Sequence, residues 1–162
     1  MKFPITSRRT VAGLAATAAL AATMAIGLGG IADAAHGGAL TGGEFSGRAE
    51  VGPEGNMRIV GDPNGRGEAY VFSTGDGIVC YVLEVDKIGP ATAAHIHEAP
   101  AGENGPVVVA LSPPTDGESA GCIDTGDPDL AADITLREPS EYYVNVHNDE
   151  YPAGAVRAQL GG

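Results

Sequence analysis

No tryptophan occurs in these 162 residues, and aromatic side chains make up only 5%. Any core must therefore be assembled mainly from aliphatic groups. Basic residues are scarce as well: 9 Lys and Arg stand against 21 Asp and Glu, a formal net charge of −12. An acidic chain gains no counterion release from a polyanion, which argues against nucleic acid and anionic membrane surfaces as partners. The 2 cysteines, Cys80 and Cys122, show no C-x-x-C spacing for a thiolate metal site. No stretch reads as a long amphipathic helix. Serine catalysis lacks a nucleophile-elbow sequence. The glycine-rich "AGENGP" (101–106) lies between two strand candidates rather than before a helix, so it reads as a hairpin turn and not a phosphate cradle.

One long apolar stretch does exist, at the N-terminus. Lys2, Arg8 and Arg9 precede an Ala/Gly/Leu-rich run that ends in Ala32-Asp33-Ala34, the small-x-small pattern of a cleavage site. A cleaved signal peptide over residues 1–34 is the leading reading. A membrane anchor is the alternative, since residues 11–31 are long enough to span a bilayer. Against the anchor, the run is rich in Ala, Gly and Thr, and no basic stop-transfer cluster follows. Ser7-Arg8-Arg9-Thr10-Val11 also looks like a twin-arginine export signal, although ordinary secretory signals carry such pairs too. Cleavage takes Lys2, Arg8, Arg9 and Asp33 with it, so 6 basic and 20 acidic residues remain and the net charge becomes −14. The remainder suits one domain over 41–162, after a flexible lead of residues 35–40. In an oxidising compartment two cysteines most simply form one disulfide, Cys80–Cys122; free thiols are the other possibility.

Short alternating runs broken by Gly, Pro, Asn and Asp fill the rest. Strands are expected over 43–51, 68–74, 78–86, 92–98, 106–111, 141–147 and 155–160, with an Asp-Gly hairpin turn at 75–77. Residues 112–140 read as an acidic loop, with "LAADITL" a helical turn or a short strand. This pattern predicts an all-β fold, an antiparallel β-sandwich or barrel of Greek-key type.

Period two assigns faces. Tyr142, Val144 and Val146 should face the core, and Tyr143, Asn145 and His147 the outside. Ala94 and Ile96 should point in, and His95 and His97 out. Val156, Ala158 and Leu160 should be buried, with Arg157 and Gln159 outward. On the strand 78–86, Val79, Tyr81, Leu83 and Val85 form the apolar face, which leaves Cys80 on the outer one. A bridge to Cys122 would then tie the 112–130 loop across the outside of the sheet.

"AAHIHEAPAGENGPVVVAL" (93–111) and "YYVNVHNDEYPAGAVRAQL" (142–160) closely resemble the two signature blocks of the CHRD domain family, named for chordin. "LTGGEFSGRAEVGPEG" (40–55) is similar to that family's opening stretch, with Gly52 in place of a proline. Ala99 replaces a common glycine, Asn148 a common threonine, and Ala158 the glycine before Gln159. The resemblance implies an extracellular β-sandwich of immunoglobulin-like type, and it carries no established activity with it.

Two histidines one residue apart on a strand can chelate one transition ion, and a third on a neighbouring strand completes a three-nitrogen set. His95, His97 and His147 are therefore candidate ligands for one copper or zinc ion, with Glu98 and Asp149 as flanking carboxylates able to support them. Arg157 is expected to form a structural ion pair with one of those acids. The competing reading has the histidines hydrogen-bonding loop carbonyls around 98–106 and 148–154. Copper-zinc superoxide dismutase is similar in carrying His-x-His outside a β-barrel, but its second metal needs further histidines, and only His36 remains here. "DTGDPD" (124–129) lacks the spacing of a calcium loop and reads as a solvated acidic turn. The function expected first is a secreted, non-enzymatic binding module for an extracellular protein or cell-envelope component. Metal binding comes second, and a dismutase-like redox enzyme third.

Overall fold

The computed structural model describes residues 39–52 and 59–161. The expected signal peptide lies outside the described residues, and no helix among them is long and apolar enough to cross a membrane. Among the described residues, eight strands form one antiparallel sheet: β1 (Leu40–Ser46), β2 (Arg66–Gly75), β3 (Ile78–Asp86), β4 (Ala91–Glu98), β5 (Val107–Leu111), β6 (Glu118–Asp124), β7 (Tyr142–Asn148) and β8 (Val156–Gln159). Their spatial order is β5-β4-β7-β8-β1-β2-β3-β6. The two outermost strands, β5 and β6, approach each other, so the sheet curls nearly into a barrel. Two four-stranded halves result, joined where Ser46 of β1 meets Arg157 of β8. The all-β antiparallel class read from the sequence is the one observed.

Local chemistry accounts for most of the strands. The β2–β3 hairpin reverses at Asp76-Gly77, both with positive φ (53° and 82°), the mirror-image turn that matches strand twist. The inward positions of β2, β3, β4, β7 and β8 fill the core, with Val71, Leu83, Ile96, Val144 and Val156 among its fully buried members. Burying an aliphatic side chain of this size stabilises the fold by about 1.5–3 kcal/mol.

Four expectations are corrected. The first strand spans Leu40–Ser46 rather than 43–51, and a 3-10 turn, Gly47–Ala49, follows it. Leu40 thus belongs to the sheet and not to a flexible lead. The 112–140 stretch holds β6, the short helix α1 (Pro128–Ala132) and a π-helical turn, Asp133–Arg137. Acidic side chains of "DTGDPD" serve locally: Asp127 caps α1 through the amides of Asp129 and Leu130. Finally, Cys80 and Cys122 are bridged, but as directly opposed residues of the paired strands β3 and β6. The bridge staples two strands instead of tying a loop across the sheet. Closing a loop of 42 residues in the unfolded chain contributes about 4 kcal/mol by the chain-entropy argument.

Candidate metal centre

β4 and β7 are neighbours, and Ala93 pairs with His147, His95 with Asn145 and His97 with Tyr143. Alternation sends the side chains of all six to the outer face, where His95, His97 and His147 converge. One ring nitrogen from each lies within 4.8 Å of the other two. His95 Nδ1 and His147 Nε2 are 3.1 Å apart. An ion bonded to three nitrogens in a trigonal plane needs about 3.5 Å between them, so small rotations of the rings complete the set.

Carbonyl oxygens decide which nitrogens carry protons, because a carbonyl can only accept. His97 Nδ1 donates to Gly105 O (3.0 Å) and His147 Nδ1 to Pro152 O (3.1 Å). Both rings therefore present a bare Nε2 lone pair. His147 Nε2 accepts from His95 Nδ1. His97 Nε2 is buried and has no partner among the described residues. Leaving such an atom unsatisfied costs about 1–3 kcal/mol. Burial lowers the pKa of all three rings below the ordinary histidine value, outweighing the carbonyl bonds of His97 and His147. Neutral rings are the form that ligates metal.

Aromatic and cation contacts hold the rings from behind. The Tyr143 ring stacks on His97 with centroids 4.8 Å apart and planes 7° from parallel. The Arg157 guanidinium lies 3.5 Å from the centroid of the same phenol. Since β4 and β8 flank β7, Tyr143 is held between the imidazole and the cation. Arg157 is 1% exposed and donates to Glu103 O, Pro100 O and Gln159 Oε1, which pins the 99–106 loop over the sheet. Glu50, also buried, accepts from Asn145 Nδ2 at 2.7 Å. Burial pushes its carboxyl up to about 7 against the lowering influence of Arg157 and Asn145.

With this geometry established, comparison with known families is informative. The chain matches the family model described as CHRD domain over residues 43–160. It belongs to the CHRD domain family. Neither the curated proteins nor the solved structures gave a match.

Within this CHRD domain the three predicted histidines come together, while their expected carboxylate supports do not join them. Glu98 and Asp149 make no hydrogen bond to the rings; the acceptors are the backbone carbonyls of Gly105 and Pro152. Glu98 follows His97 in the strand, points the other way, and its charge acts on Tyr142. Arg157 is likewise not an exposed ion-pair partner. It is buried, and its bonds go to two carbonyls and an amide. Glu50, Asn145 and Tyr143 were missed as supports of the site. The available signal was the kind of residue on the outer face: His, Asn, Tyr, Arg and Gln are hydrogen-bonding types, whereas a solvated face favours Lys and Glu.

Proposed function

We propose that this domain works outside the cytoplasm as a non-enzymatic binding module whose ligand is one copper or zinc ion, held by His95, His97 and His147. The observation that carries the reading is the buried, unpartnered Nε2 of His97 beside two converging imidazole nitrogens. The loop-anchoring reading and the metal reading are compatible, because each anchoring bond uses Nδ1 and leaves Nε2 for a ligand. Such outer-sphere bonds fix ring orientation and raise ligand basicity in metal sites. Loading the site requires His95 to give up its Nδ1 proton bond to His147 and carry the proton on Nε2 instead. Export is supported by the leader-like N-terminus and by a disulfide that persists best in an oxidising compartment.

Calorimetric titration of the mature domain with copper and zinc tests the proposal. Saturable one-to-one binding is expected, weakened at least about a hundredfold in His97→Ala, while urea denaturation verifies that the variant stays folded. Binding as weak and as indifferent to His97 as that of an unfolded peptide of the same composition rules the metal function out.

A further inference from the structure

The half of the sheet that lacks the histidines carries recognition chemistry of its own. A groove of about 920 Å³ follows β1 from Leu40 to Glu44, lined also by Glu68 and Tyr70 of β2 and by Leu136 and Pro139 beyond α1. Its two ends differ. Leu40 and Leu136 are 49% and 62% exposed. Pro139 lies beside Gly161, whose amide donates to Thr41 Oγ1, so the proline stands near the Leu40 end of β1. Apolar side chains exposed together in one groove mark a binding surface, whereas single ones need no explanation. At the other end Glu44 stands directly opposite Glu68. Tyr70 takes the middle, opposite Gly42. A Cβ on Gly42 would come within 3.4 Å of the Tyr70 ring, so the phenol rests against β1 where the strand has no side chain.

The acidic end has no cation of its own. Among the described residues the ion pairs are those of Arg66 with Asp86 and of Arg137 with Asp129 and Asp133. Glu84 and Glu118 extend the acidic row across β3 and β6. Tyr70 registers this field: its hydrogen bond to Glu68 and the charge of that carboxylate raise its pKa above the ordinary tyrosine value, with Glu84 adding to the shift. Like charges placed directly opposite one another oppose strand pairing. A bound cation removes that repulsion.

We infer that this groove binds an extended segment of a partner protein in which an aliphatic side chain and a lysine lie four residues apart. Leu40 and Glu44 have the same separation, about 14 Å along a strand, and a chain laid along β1 repeats it on one face. The aliphatic group meets Leu40, Leu136 and Pro139. The lysine stem passes over the Tyr70 ring, and its ammonium reaches Glu44 and Glu68, an aromatic and two carboxylates suited to a cation. A second copy of the chain fits poorly, because it would bring a strongly acidic surface to an acidic groove. Residues 35–38, Ala-His-Gly-Gly, contain neither Lys nor Arg to fill it.

Fluorescence anisotropy of the mature protein with fluorescein-labelled Leu-Ser-Thr-Ser-Lys-Ser-Lys-amide tests the inference in low salt. Saturable binding is expected, weakened about tenfold in the double variant Glu44→Gln, Glu68→Gln. Leu136→Ser should weaken it about threefold or more, through the lost apolar contact. All three positions are at the surface, and circular dichroism verifies the fold. His97→Ala should bind the peptide as the wild type does, so this result and the metal titration stand or fall separately. No saturable binding overturns the inference, and so does equal affinity for a peptide with Glu in place of both Lys. Affinity unchanged in the double variant overturns it as well. Affinity unchanged in Leu136→Ser, with spermidine competing as well as the unlabelled peptide, shows attraction by charge alone and overturns the partner segment. A dimer seen by sedimentation and lost in Leu136→Ser makes the groove a self-interface, which also overturns it.

Discussion

At the scale of single residues, the site depends on two backbone carbonyls as much as on three imidazoles. Gly105 supplies one of them, and its position tolerates no side chain: a Cβ there would collide with the carbonyl of Glu98. Gly105→Ala must move the loop and with it the oxygen that fixes the tautomer of His97. We expect a loss of metal affinity of about 10–100-fold from the displaced hydrogen bond, with a stability loss of about 1–3 kcal/mol. Isothermal titration and urea denaturation read the two effects separately; an unchanged affinity would mean that Gly105 O does not orient the ring. The positions of His95, His97 and His147 were legible from alternation, because period two needs no tertiary information. Arg157 was not. Its outward direction was correct, but alternation cannot reveal that a loop folds over the outer face and turns an exposed cation into a buried one.

At the scale of elements, β1, β2, β3 and β6 share an unusual row. Glu44 pairs with Glu68, Glu68 with Glu84, and Glu84 with Glu118, so four carboxylates stand directly opposite one another across four strands. Like charges in such positions oppose pairing. Reversing the charge at the third, Glu84→Lys, places a cation between two of the acids and is expected to stabilise the domain by about 0.5–1 kcal/mol in low salt. The gain should shrink as salt rises. Thermal denaturation at two ionic strengths measures both, and a loss of stability in low salt would show that the row is not repulsive. β6 itself escaped sequence reading for a physical reason. "ESAGCID" is built from small and polar residues of weak strand preference, and its order comes from pairing with β3 and from the disulfide to Cys80. Strands with Val, Ile and Tyr at alternate positions, such as Ile78–Asp86, were placed to the residue.

At the scale of the molecule, both faces of the central strands β7 and β8 are covered, one by the core and the other largely by loops. β7 shows the consequence: Tyr142, Val144 and Val146 are buried inside, and Tyr143 and Asn145 are buried outside. The polar layer so enclosed includes Glu50, and it makes global stability depend on pH. The folded carboxyl titrates near 7 against an ordinary value of 4.5, so the folded state holds the proton more tightly. Its contribution is fully present below about pH 4.5 and is lost as pH rises through about 7. Glu50→Gln keeps an acceptor for Asn145 without the ionisation. It should raise the unfolding free energy at pH 8 by up to about 3 kcal/mol and flatten the profile between pH 4.5 and 7. Urea melts across that range would refute the account if the wild-type slope survived the substitution. The chain by itself determined its class, its core faces, its cysteine pair and the shared face of three histidines, since each follows from local alternation and composition. Only the tertiary structure decided that β4 and β7 lie side by side, that the cysteines face each other across two strands, and that a buried Arg157 backs the Tyr143 ring stacked on His97. Those facts depend on which strands pair and which loops fold back, and such pairings join residues as far apart as Glu50 and Asn145, beyond the reach of any local pattern.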